Sequence, residues 1–392
     1  MLVTDVPTRA DLVRRVEELA PQVRKHIAWS QEHRRPHDDV IEALAEAGIF
    51  RMRTPVRYGG YESDTRTLVE VGAALGRIDG STAWLASVYW IPTWMAGLFP
   101  DEVQDEVFAT PDVRICGTLS PGGMAAPADG GMVVNGRWSF ITGAPSSHWQ
   151  VIIAIAGAPE APQPVMALVP TSDLAIEDDW YTSGLRGTES VTTVAENVFV
   201  PAARIVPLGT ILQGRSASPD ASGATMYRSP LLPVASASSV GTALGLARAA
   251  QDTFLERLPD RKITYTSYAG QRDAPLTHLQ VAEAALAADE AEFHAHRLAT
   301  LVDTKTADGS AWSLLERVQA RADLGAVCRL ARAAVDVLAT ASGGSSVYRH
   351  VPIQLIARDI HAVNLHALMH PDTNQELYGR VLCGLEPNTL YI

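Results

Sequence analysis

Leu12, Val13, Val16, Leu19, Ala20 and Val23 recur at steps of three and four, which gathers them on one face of a helix. The same period predicts a second helix from Asp38 to Ala47, closed by Gly48, and two more over residues 66–78 and 81–98. Asp79-Gly80-Ser81 separates the latter two, with Ser81 as the expected N-cap, and Arg57-Tyr58-Gly59-Gly60 reads as a turn. Near residue 113 the period falls to two. Residues 130–140 predict two strands joined at Asn135-Gly136, and further strands are expected over 151–156, 164–169, 174–177 and 191–200. A Gly/Ser/Pro-rich stretch over 214–223 reads as an exposed loop. Long Ala-rich amphipathic helices follow over 233–258, 277–302 and 310–342. A last helix is expected to start near Val351 and to pass through His366 before Pro371 interrupts it.

The order is helices, then strands, then helices: an α+β, mostly helical chain with blocks at 1–112, 113–213 and 214–392. The middle block is expected to be a small barrel or sandwich and the last a four-helix bundle. With 392 residues, 47% of them hydrophobic, the chain can bury a large core. A net charge of -12 argues against a nucleic-acid surface, which needs clustered cations. The apolar stretches fall short of the ~20 residues that span a bilayer, and residues 1–15 lack the apolar block of a signal peptide. Cys116, Cys328 and Cys383 are odd in number and far apart, as expected of reduced thiols in a cytoplasmic protein. Neither a Gly-x-Gly-x-x-Gly nor a phosphate-loop string is present. His361, His366 and His370 recur at five and four residues, but no carboxylate-rich segment accompanies them, so no metal is expected.

Three strings, in this order, carry a resemblance that covers nearly the whole chain. They are Asp79-Gly80-Ser81-Thr82-Ala83-Trp84, the run from Asn135 to Gly143 containing Trp138-Ser139-Phe140-Ile141-Thr142, and Gly184-Leu185-Arg186-Gly187-Thr188. The chain resembles the acyl-CoA dehydrogenase superfamily. That likeness implies an N-terminal helical domain, a central β-barrel and a C-terminal four-helix bundle. It also separates two chemistries. Dehydrogenases of this family commonly carry a catalytic carboxylate in a Glu-Gly-Thr string after the last bundle helices. Here that region reads from Arg358-Asp359 to His366, with no Glu from Gly343 until Glu376. The segment looks like the two-component (group D) flavin-dependent monooxygenase branch, whose members follow an Arg-Asp or Arg-Asn string with an active-site His.

The resemblance implies reduced flavin (FADH2 or FMNH2) supplied by a separate reductase, reaction with O2 to a flavin C4a-hydroperoxide, and hydroxylation of an aromatic or polycyclic small molecule. His366 is the implied base or hydrogen-bond donor, since imidazole titrates near working pH. Thr142 is the implied hydroxyl near flavin N5, with Ser146 a second hydroxyl; Trp138 and Phe140, alternating on one strand face, are candidates to pack on the flavin ring. Arg261, followed by Tyr265, matches the phosphate-binding Arg that relatives often contribute from another subunit of a homotetramer. Trp84 and His370 are candidates for the substrate pocket, and Arg358-Asp359 for an orienting ion pair. Three alternatives stay open: N-oxygenation of an amine such as an amino sugar, an acyl-CoA dehydrogenase with a relocated base, and a non-catalytic scaffold that keeps the fold.

Overall fold

The computed structural model describes residues 6–157, 161–215, 217–218 and 224–392; part of the loop expected over 214–223 lies outside them. The first block contains α1 (Arg9–His33), α2 (Asp38–Glu46), α3 (Thr65–Ile78), α4 (Gly80–Ala96) and α5 (Asp101–Val107). Thr8 and Asp11 form a capping box at the start of α1, and Gly48, at φ +79°, ends the α2 turn as expected. Ser81 is not the cap between α3 and α4. Asp79 closes α3 and opens α4, accepting from the Thr82 N–H at 2.8 Å. The Ser81 hydroxyl, two positions further on, lies inside α4 with no hydrogen-bond partner.

The strands β1 (Ile115–Ala128), β2 (Gly131–Ile141), β3 (Trp149–Ala156), β4 (Gln163–Pro170), β5 (Ala175–Glu177), β6 (Val191–Pro201) and β7 (Ile205–Pro207) form one sheet in the order β5-β6-β2-β1-β3-β4-β7. β1 and β3 run parallel and the other pairs antiparallel. Among the described residues β5 and β7 do not pair with each other, so the expected barrel is a seven-stranded sheet that does not close through hydrogen bonds. The hairpin also falls elsewhere. Asp129-Gly130 makes the two-residue turn between β1 and β2, with Gly130 at φ +76°. Asn135-Gly136 lies within β2. Glycine is needed there for space, because a Cβ on Gly136 would lie 2.5 Å from the Gly123 Cα.

After the short α6 (Leu208–Leu212) come α7 (Leu231–Arg257), α8 (Pro275–Asp308), α9 (Leu314–Ala341), α10 (Pro352–Leu365) and α11 (Pro371–Leu382). Helices α7 to α10 pack on one another and α11 lies on α9. No helix among the described residues is long and apolar enough to cross a membrane. The first and last blocks are joined through α3 and α7, which meet at two pairs of glycines four residues apart. A Cβ on Gly241 would lie 2.5 Å from the Val69 carbonyl oxygen, and one on Gly245 2.3 Å from that of Ala73. Only glycines allow the two backbones to touch here.

Candidate active site

α10 stops one residue before the candidate histidine. His366 caps its C-terminus with extended backbone, φ -66° and ψ 135°, so it is not inside a helix as expected. This turns the imidazole edge-on to Trp84 of α4, with ring centroids 5.0 Å apart. The residue stays exposed although protein surrounds part of the ring, as for a side chain at the mouth of a recess. Burial lowers its pKa to about 4 and keeps it neutral near pH 7. Its Nδ1 accepts the Leu368 N–H at 3.3 Å. A neutral imidazole with Nδ1 accepting carries its proton on Nε2, so the free ring nitrogen is a donor. His370 stands one turn on, its N–H donating to the His366 carbonyl at 3.0 Å and its buried Nδ1 without a hydrogen-bond partner.

Residues 184–190 join this pair to the sheet. Gly184 lets the loop pass the Arg358 carbonyl, which a Cβ would approach to 2.2 Å. The Leu185 N–H donates to Asp359 Oδ1 at 2.7 Å. The Leu185 carbonyl accepts from the Trp180 indole at 2.9 Å and from the Thr188 hydroxyl at 2.8 Å. With its proton so committed, Thr188 Oγ1 accepts from Ser190 at 2.7 Å, and Ser190 Oγ in turn accepts from Thr142 at 2.8 Å. The relay fixes the direction of every hydroxyl. Thr142 Oγ1 is left with lone pairs and acts as an acceptor toward anything beyond it.

The expected shared face of Trp138 and Phe140 does not occur. The register between β2 and β6 shifts between Trp138 and Ile141, and Phe140 sits at φ +64°. Trp138 is therefore buried, its indole donating to the Ile153 carbonyl at 2.9 Å, while Phe140 is 73% exposed and edge-on to Trp180. Ser146 points to Glu189, donating to Oε2 at 3.3 Å. Arg261 bonds Gln271, Ser345 and the Ser342 carbonyl, at the end of α9, and Tyr265 is fully exposed at φ +62°. Arg261 is thereby held to the segment that precedes α10, a helix about 20 Å long that ends at His366.

Two carboxyl groups carry strain that sequence reading missed. Asp359 is 1% exposed, and its Oδ2 has no partner. It makes no ion pair with Arg358, whose guanidinium goes to the Ser183 and Gln354 carbonyls. Burial first, and then the nearby Asp79, push its pKa up to about 8; burial raises that of Asp79 as well. Glu189 holds the left-handed backbone at φ +51°, and burial raises its pKa to about 7. Neither signal is visible without the fold. Tyr391 was also missed: its hydroxyl donates to the Leu119 carbonyl at 2.8 Å and pins the end of the chain to β1.

An outward aromatic ring at Phe140, an acceptor hydroxyl at Thr142 and a neutral imidazole in a recess fit a planar cofactor with N–H donors. Residues 10–108 match the family described as acyl-CoA dehydrogenase, N-terminal domain, and residues 237–371 its C-terminal domain. A resorcinol hydroxylase oxygenase component from Rhizobium sp., FADH(2)-dependent by name, is 31% identical over 97% of this chain and 96% of its own. The chain belongs to the acyl-CoA dehydrogenase family. Its place is the branch of two-component flavin-dependent monooxygenases. The flavin-dependent monooxygenase oxygenase subunit HsaA of Rhodococcus jostii is 30% identical over 95% of this chain and 98% of its own. The structure of XiaF from Streptomyces sp., in complex with FADH2 and glycerol, superposes with a TM-score of 0.93 at 29% identity, covering 98% of each chain.

Proposed function

We propose that this chain is a cytoplasmic oxygenase component that takes FADH2 from a separate reductase and uses O2 to hydroxylate an aromatic small molecule. The observation that carries this reading is the edge-on pair of Trp84 and a neutral His366. One carboxyl that could serve as the base of a dehydrogenase is out of place. Asp359, the carboxyl on the helix leading to this recess, is fully buried, tied to Leu185 and raised to about 8, so it cannot reach a substrate carbon.

Bound reduced flavin supplies the electrons that activate O2 and the site at which one oxygen atom is held for transfer. The protein's residues do the rest. Phe140 would pack on the flavin ring, and Thr142 Oγ1, with its proton committed to Ser190, would accept from a flavin N–H. His366 Nε2–H donates to the substrate's hydroxyl oxygen and orients the ring against Trp84, with His370 beside it. His366 is exposed in the chain alone, so the exclusion of water that limits wasteful release of peroxide falls to the bound flavin and substrate.

We further read the chain as three domains with boundaries near 112 and 213, assembled as a homotetramer. A row of exposed apolar side chains on α8 supports the assembly: Leu279, Leu286 and Phe293, seven residues apart and 63–70% exposed. In that assembly Arg261 and Tyr265 serve a flavin phosphate in a neighbouring subunit. Reconstitution tests the function: the chain, an unrelated flavin reductase, NADH, FAD and a set of phenols, with products followed by chromatography. Hydroxylated product that requires the chain supports the reading. Tight binding of oxidised FAD with turnover of CoA thioesters, and no hydroxylation, would replace it with the dehydrogenase.

A further inference from the structure

The corner between α1 and α2 gathers three ligating side chains that the proposed reaction does not use. His26 lies on α1, and His37 and Asp39 sit at the start of α2. His26 is 8% exposed and its Nε2 makes no hydrogen bond. Asp39 Oδ2 is 3.2 Å from that nitrogen, near enough for an ion pair but out of line for a hydrogen bond. In the neutral tautomer that carries its proton on Nδ1, two lone-pair atoms face each other in a sheltered corner, and a cation between them relieves the repulsion. The other Asp39 oxygen is 3.6 Å from His37 Nδ1, and ligand atoms of the three residues all lie within 4.8 Å of one another. Ligands held tetrahedrally at 2.0–2.2 Å from a zinc ion are about 3.3 Å apart, so the corner needs only a small closure. His37 Nδ1 now caps α2 by accepting the Asp39 N–H at 3.1 Å, a bond that ligation replaces. His37 and Asp39 stay 25% and 50% exposed, which leaves an open side for the ion and its waters.

We propose that His26, His37 and Asp39 form a binding site for a divalent cation of the Zn²⁺ type that staples α1 to α2. Two imidazoles and one carboxylate suit Zn²⁺ or Ni²⁺; Mg²⁺ and Ca²⁺ prefer an all-oxygen shell. The site was not legible in sequence because its histidines are eleven residues apart on different helices. His361, in the segment where a metal was considered, is paired with Asp336 at 2.9 Å. The staple sits beside the active-site loop, since the Gln31 carbonyl near the end of α1 accepts from Arg186 at 2.9 Å.

The test is calorimetric titration of the EDTA-treated full chain with ZnCl2, together with thermal unfolding. One equivalent per chain is expected to bind, at least tenfold more weakly in His26→Ala and in Asp39→Asn, and unchanged in His361→Ala. Zn²⁺ should raise the Tm of the wild type, reversibly with EDTA, and not that of Asp39→Asn. If His26→Ala fails to fold, Asp39→Asn decides, since that position is half exposed. Absence of saturable binding, or equal affinity in wild type and Asp39→Asn, overturns the proposal.

Discussion

At the scale of single residues, the direction of one hydrogen bond separates two roles for His366. The Leu368 N–H occupies Nδ1, so the neutral ring offers a donor at Nε2 and has no free acceptor. A donor can be replaced by an amide; a base cannot. His366→Gln should therefore retain several-fold more hydroxylated product per NADH than His366→Ala, the balance appearing as hydrogen peroxide. Equal losses in the two variants would reassign the residue as a base. Acid stability gives a second reading of the same group. Its pKa is about 4 when folded, against about 6.5 in an unfolded chain. Between those values the unfolded chain binds the extra proton, so stability is complete above pH ~6.5 and drains as pH falls toward 4. Thermal unfolding across pH 4–7 should show a shallower slope in His366→Gln. Trp84, Phe140 and Thr142 were proposed from two of the three short strings and His366 from the segment that starts at Arg358. Glu189 was not, because its strain lies in φ and burial, which no residue type announces.

At the scale of elements, Asp359 is the link between α10 and the loop that carries the hydroxyl relay. Its carboxyl is raised to about 8, where an unfolded Asp titrates near 4. The folded chain keeps a proton that the unfolded chain gives up, so the associated stability is full below pH ~4 and lost as pH rises through about 8. Asp359→Asn keeps an oxygen for the Leu185 N–H and places an amide where the proton was. Its Tm should fall less than the wild type's between pH 5 and 9; parallel curves would mean that the proton is not held there. Packing at α3 and α7 is tested by contrast. Gly245→Ala drives a Cβ to 2.3 Å from the Ala73 carbonyl oxygen, whereas Gly209→Ala meets nothing within 4 Å. The first should cost about 1–3 kcal/mol or more in denaturant unfolding, and the second should be neutral within about 0.5 kcal/mol. Helix and strand positions were legible because periodicity reports burial directly. The hairpin was misplaced because Asp129-Gly130 and Asn135-Gly136 are equivalent turn signals, and only sheet register chooses between them. The end of α10 was missed because its stop is a tertiary effect: no glycine or proline stands at His366.

At the scale of the whole molecule, one chain leaves its phosphate-binding candidates far from its imidazole. Arg261 is held to the segment before α10 and His366 caps that helix's end, so a single flavin engages both within one subunit only if it spans about 20 Å. Tyr265 is held by no tertiary contact that buries it, and Tyr348, near the Ser345 partner of Arg261, is 60% exposed. Exposed aromatic surface beside a guanidinium is the kind of surface that the proposed assembly would cover. The α8 row supplies the means, because Leu279, Leu286 and Phe293 keep a seven-residue repeat and line up along one helix face. Charging that row should break the assembly and the cofactor site together. Leu279→Glu with Leu286→Glu is expected to lower the mass in light scattering below that of a tetramer, with circular dichroism unchanged because both positions are exposed. FADH2 affinity, measured anaerobically, should fall at least tenfold in the same variant and also in Arg261→Ala, which is expected to keep the mass of the proposed tetramer. A variant that dissociates yet binds FADH2 as tightly as wild type would place the whole cofactor site within one chain and leave Arg261 as a tie between the end of α7 and the end of α9.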